Sequence, residues 1–138
     1  MPIKNYTTKI PAPQTVGEIQ GILAAHGARQ IMLDYSDTGH IGAIAFSIDT
    51  PIGRRGFQLP ARVDMVLQTL QKQHVKTDYA HAERVAWRII KDWVDAQMAI
   101  LESEQVSMDE IFLPYMVGDG GTTLYQAFCH NQLTSGGE

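Results

Sequence analysis

The segment DYAHAERVAWRIIKDWVDAQMAILE, residues 78–102, limits most strongly what this chain can fold into. Ala82, Ala86, Ile89, Trp93, Ala96 and Ile100 recur at alternating steps of four and three. That spacing predicts one long amphipathic helix over about 78–104, with Asp78 as its N-cap. Val85, Trp87, Ile90, Val94 and Leu101 widen the apolar stripe beyond what a single small sheet can cover. Such a helix either sits at the centre of its domain or shares its surface with another subunit. Trp93 lies on the main stripe and is read as core. Trp87 lies a quarter-turn off it and is read as an interface or ligand residue.

The segments before it supply a sheet. RQIMLDY alternates Ile31, Leu33 and Tyr35 on one face, and SDTGH provides the turn residues of a hairpin. IGAIAFSI places Ile44, Phe46 and Ile48 on one side and Ala43, Ala45 and Ser47 on the other. A third strand, RRGFQL, turns Phe57 and Leu59 inward, with Arg54 and Gln58 on the small-residue face. Residues 1–10 alternate weakly enough to suggest an edge strand. Ahead of the sheet, Thr15 with Glu18 forms a capping box for a helix that Gly27 ends. Gly17 and Gly21 on that helix offer another element a close approach. Pro60 at a first helical position opens a second helix carrying Val63, Val66, Leu67 and Leu70. Asp109–Val117 reads as a short helix broken by Pro114, and TTLYQAF as an amphipathic segment packing through Leu124 and Phe128. The expected fold is α+β, a three- to four-stranded antiparallel sheet packed with helices. It forms one domain over 1–133, with 134–138 as a flexible C-terminal tail. Its helix–three strands–helix order is also that of double-stranded RNA-binding domains, an analogy of topology alone.

Charge is divided unevenly along the chain. The net value is −4, yet residues 54–91 hold eight basic residues against three acidic, a local excess of five. Arg54 and Arg55 begin a strand, Arg62 sits near the start of the next helix, and Arg84 and Arg88 stack one turn apart on the long helix. Paired guanidinium groups grip phosphate through parallel hydrogen bonds, and aromatic rings beside arginine suit nucleobases. Arg54, Arg55, Arg62, Arg84, Arg88, Trp87 and Phe57 are therefore the candidate ligand-binding residues. The competing reading is a solvated set of arginines paired with nearby carboxylates, and Trp87 and Phe57 as packing residues.

Other chemistry finds little footing. The single cysteine, Cys129, rules out an internal disulfide framework and fits a reducing compartment. HAER, residues 81–84, is not the HExxH of a zinc helix, and no other His/Cys spacing suggests a metal. There is no GxSxG and no phosphate loop of the GxxxxGK[ST] kind. GDGGTT, residues 118–123, reads as a glycine turn, with an anion nest as the alternative. No apolar run reaches the length of a membrane span. The expectation is a non-enzymatic protein with no cofactor and no metal.

KNYTTKI, TVGEIQGILAAHGARQIMLDY, GFQLPARVD, AERVAWRIIKDWVDAQMAILE and DEIFLPYM together resemble an uncharacterised family of small phage, prophage and mobile-element proteins of Gram-positive gut bacteria. The resemblance runs over nearly the whole chain and brings no catalytic residues. It implies an accessory protein in the cytoplasm of a bacterial host. Joined to the arginine group, it gives the leading expectation: a homo-oligomeric anti-defence protein that sequesters a small anionic nucleotide-type ligand. The alternatives are a nucleic-acid binder and a protein–protein inhibitor of a host defence system.

Overall fold

The computed structural model describes residues 1–130. The tail expected at 134–138, and the domain end at 133, lie outside the described residues. Helix α1 (Ala12–Ala25) opens four residues earlier than its sequence suggested. Pro11 is the N-cap and Pro13 sits in the first turn, where a residue without an N–H and with φ already set is tolerated. Thr15 is consequently not a cap but a wholly buried residue inside the helix. The far end is as expected. Gly27 adopts φ 106°, and the amides of Gly27 and Ala28 bond back to Ala24 and Leu23, which closes the helix in a Schellman motif.

Strands β1 (Gln30–Tyr35), β2 (Ile41–Thr50), β3 (Gly53–Pro60) and the two-residue β4 (Met116–Val117) form an antiparallel meander in sequence order. The register pairs Ile31 with Phe46, Phe46 with Phe57, and Phe57 with Met116, so these side chains share the face that is covered by helices. Phe46 and Phe57 stack at 5.7 Å, and Phe112 meets both edge-on. The opposite face carries Gln30, Met32, Ala45, Ser47, Gly56 and Val117. These line a shallow apolar groove of about 460 Å³.

Helix α2 (Val63–Lys72) starts after Arg62, and Pro60 closes β3 rather than opening the helix. Helix α3 (Tyr79–Glu102) is capped as expected, with the Asp78 carboxylate accepting the His81 amide at 2.8 Å. Its broad stripe resolves into two faces. Trp87, Val94 and Met98 join the core with α1 and the sheet, while Ala82, Val85 and Ala86 meet Val63 and Leu70 of α2. The stripe is wide because α3 is the centre of the helical layer. The helix–three strands–helix order is present, but α1 and α2 make their main helix contacts with α3. Both tryptophans pack on the core, and Trp87 rather than Trp93 is the more deeply buried. Trp87 is fully buried and donates its indole N–H to the Ile41 carbonyl at 3.2 Å. Trp93 is half-buried against Phe112 and Tyr115.

Residues 1–10 form no strand. They turn at Asn5, φ 68°, and run along α3. Gln73 accepts the Ile3 amide, Asp92 accepts the Asn5 side-chain amide, and the His81 Nε2–H donates to the Tyr6 carbonyl. Hydrogen bonds from Asn5 and Lys4 hold the Asp92 carboxyl below its ordinary range. Past α3 come α4 (Met108–Phe112), a 3-10 turn (Leu113–Tyr115), β4 and α5 (Leu124–Cys129). On α5 Leu124 and Ala127 turn partly inward; Phe128 is exposed. Gly17 and Gly21 are exposed, with no neighbouring atom near the position of an added Cβ, so no element approaches them.

Candidate functional site

The arginines expected to share one surface are spread over the molecule. Ile41, at the start of β2, accepts from Trp87, and His40 bonds Glu83, so the N-terminal end of α3 lies at that end of the sheet. Arg54 and Arg55 occupy the hairpin at the other end of β2, where Arg54 pairs with Asp49. Nine residue steps of extended chain separate the two, about 30 Å.

Most of the candidates have structural partners. Arg54 Nε donates to Asp49 at 2.9 Å, and an Arg55 Nη donates to the Arg54 carbonyl. Arg88 lies largely buried against α1, donating to Glu18 at 3.1 Å and to the Thr15 hydroxyl at 3.5 Å. Lys91 joins the same group through Asp95 and Glu18. Arg62 lines a separate cavity of about 270 Å³ with Tyr125 and Gln126. Phe57 and Trp87 are core residues, so neither ring can receive a base without opening the core.

Arg84 is different. Like Arg55 and Arg62 it has no carboxylate partner among the described residues, but only here is a guanidinium nitrogen shut away from water. Its Nε is buried and meets no acceptor. It lines a cavity of about 480 Å³ with Lys76, Thr77, Asp78 and His81, at the start of α3. The sequence builds this place simply. Residues 73–78 carry the chain from α2 into α3, and His74 takes a positive φ of 61° on the way. The Asp78 cap then fixes the first turn, so Lys76 and Thr77 precede the helix while His81 and Arg84 follow on one side of it. The His81 ring is held at both nitrogens, by Thr77 Oγ1 at 2.8 Å and the Tyr6 carbonyl at 2.6 Å. Two cations thus face one carboxylate, and that carboxylate already accepts a backbone amide. The helix N-terminus adds positive potential of its own. A cavity of this size accepts a nucleotide-sized molecule.

Two features were not read from the sequence. The first is Lys76 and His81 as neighbours of Arg84, which needs the loop between α2 and α3 to be known. The second is a pair formed across 43 residues: His40 Nδ1 bonds the largely buried Glu83 carboxylate at 3.0 Å, with Tyr79 edge-on to the imidazole at 4.8 Å. Burial raises the Tyr79 phenol above its ordinary value, helped by Asp64 and Glu83. This group ties the β1–β2 hairpin to α3. No group of three or more His, Cys, Asp and Glu side chains is placed to hold a metal among the described residues. At 118–123 the amides of Gly118, Gly121 and Thr123 donate to the Thr122 carbonyl, the Gly118 carbonyl and the Gln126 side chain, and Thr123 caps α5 by accepting from the Gln126 amide.

Compared with protein-family models, curated proteins and solved structures, the chain matches none of them. Among the described residues no helix is long and apolar enough to cross a membrane.

Proposed function

We propose that this protein is a non-enzymatic binder of a small phosphate-bearing ligand, held at the start of α3 by Arg84 and Lys76. One observation carries the reading. A guanidinium lines an open cavity while its Nε stays buried without an acceptor. That Nε is closed to the cavity, whereas the rest of the Arg84 side chain lines it and can make charge-assisted bonds to a phosphate oxygen. The ligand class follows from charge and size: two cations suit one phosphoryl group, and the remaining volume accommodates a nucleoside. The resemblance to phage and mobile-element proteins gives such binding a setting, the capture of a nucleotide-type signal of host defence in a bacterial cytoplasm.

A thermal-shift and calorimetric panel tests this. It contains pyrophosphate, cyclic dinucleotides, ADP-ribose, duplex RNA and, as the uncharged control, adenosine. The expected result is binding of one small phosphate compound that is recovered chemically unchanged, with adenosine silent. Binding confined to duplex RNA, with a steep loss of affinity in salt, would move the protein to the nucleic-acid reading. Turnover of the bound compound would make it an enzyme.

A further inference from the structure

The two edges of the sheet are treated differently. At one edge β4 is only two residues long, and Val117 is bridged on its outer side by Thr123. At the other, among the described residues, β1 pairs with β2 alone. Its sequence, QIMLDY, contains no lysine and no proline, the residues that usually keep an edge strand from pairing. Met32 in its middle is 63% exposed. Ile31 and Leu33, on the covered face, stay half-buried at the margin of the core.

The register decides what such an edge can accept. The ladder of β1 is regular from Gln30 to Asp34 and shifts between Asp34 and Tyr35. That straight segment of five is centred on Met32. Residues directly opposite in an antiparallel pair share a face, so a second copy related by a two-fold axis normal to the sheet must align residues of the same parity. Alignment of Met32 with Met32 of the second copy uses the whole straight segment. It sets Ile31 opposite Leu33, extending the apolar core across the axis, and Gln30 opposite Asp34, an amide facing a carboxylate. Alignment on Leu33 instead sets Met32 opposite Asp34 and pushes the pairing into the bulge.

We infer that the β1 edge is a self-association surface, on which a second copy of this chain pairs antiparallel about Met32 to make a continuous eight-stranded sheet. The contact is a five-residue ladder with few side chains, so the dimer is reversible and concentration-dependent. It lies apart from the α3 cavity and stands or falls independently of the ligand reading.

Sedimentation equilibrium of the full chain from about 1 µM to about 1 mM tests it. The expected result is a monomer–dimer equilibrium that Met32→Lys abolishes by placing two charges face to face. Met32 is exposed in the monomer, so the variant's melting temperature at low concentration stays at the wild-type value. In a Cys129→Ser background, Met32→Cys should form an intermolecular disulfide on mild oxidation faster than Leu33→Cys. A monomer throughout the range, or a dimer indifferent to Met32→Lys, overturns the surface. Faster cross-linking at position 33 overturns the register.

Discussion

Replacing Arg84 with methionine should make the free protein more stable while removing its ligand. The side chain lines the α3 cavity with no carboxylate partner among the described residues, and its Nε is buried without an acceptor. Relief of that unmet donor contributes about 1–3 kcal/mol. Removal of the like charge one turn from Arg88 adds about 0.2–0.5 kcal/mol. Against this stand the lost contacts of the guanidinium; methionine keeps an unbranched apolar stem and nearly the same helix propensity. The net expectation is a gain of about 1 kcal/mol, or roughly 4 °C in Tm for a domain of this length. Urea unfolding and calorimetry in phosphate-free buffer measure it directly. With ligand at 100 times its Kd, wild type should gain about 2.7 kcal/mol and the variant almost nothing, so the order of stabilities inverts. Arg88→Met is the control, because that guanidinium is paired with Glu18. It should cost about 1–2 kcal/mol, between the values for exposed and buried pairs. If Arg84→Met destabilises the free protein by as much as Arg88→Met, the guanidinium has a structural role and the argument for the cavity fails.

Three further outcomes follow from the same geometry. Arg54→Ala combined with Arg55→Ala should leave phosphate-ligand affinity unchanged, since the pair sits at the far end of β2, about 30 Å of strand from the end that meets the start of α3; a large loss in calorimetry would relocate the site. Trp87→Phe should cost about 2–4 kcal/mol in urea unfolding, because the fully buried ring is reduced and the Ile41 carbonyl loses its donor; a neutral effect would contradict the pinning of α3 to the sheet. His26 faces the Ile22 carbonyl through Nδ1 and Glu102 through Nε2, two acceptors that favour the imidazolium and raise its pKa above the ordinary 6.5. Its contribution is therefore full below pH 6.5 and lost as pH rises through the higher folded value, so His26→Gln should destabilise in mild acid and be nearly neutral in base.

How much of this was legible beforehand depended on the range of the signal. The α+β class, the antiparallel strands, the Asp78 cap and the Gly27 terminus all rest on local patterns, and all are present. Where two local signals competed, the reading slipped. Thr15 and Glu18 match a capping box, but Pro11 and Pro13 set the backbone earlier, and Thr15 became an interior residue that meets Arg88. The alternation of residues 1–10 resembled a strand because polar side chains recur there; of these, Lys4 and Asn5 serve Asp92, while the Ile3 amide and the Tyr6 carbonyl meet Gln73 and His81. Trp87 and Trp93 show the limit of a single helical stripe. Once α3 packs on the sheet and on two helices, its most buried direction is set by neighbours that the sequence of α3 does not name. The cavity was half legible. Arg84 stood out by type and spacing, whereas Lys76 and His81 depend on a turn whose path no periodicity encodes.

The division of charge along the chain looked like a broad basic face, and the fold ties part of it, Arg54, Arg88 and Lys91, into ion pairs. Arg88 with Glu18, Arg54 with Asp49, and Lys4 with Asp92 are cross-links between basic and acidic segments distant in sequence or across a hairpin. Each pair withdraws a cation from any long-range field. Arg55, Arg62, Lys72, Lys76 and Arg84 keep no carboxylate partner among the described residues, and of these Lys76 and Arg84 line one cavity on a chain whose net charge is −4. A polyanion must approach along its length and meets the acidic remainder, whereas a small phosphate compound experiences mainly charges within a Debye length of about 8 Å. The same pairing that scattered the arginine group therefore favours a small ligand over a nucleic acid. Arg84 is half-buried and is screened less than an exposed row of cations, so the affinity of that ligand should fall less steeply with salt than that of a polyanion.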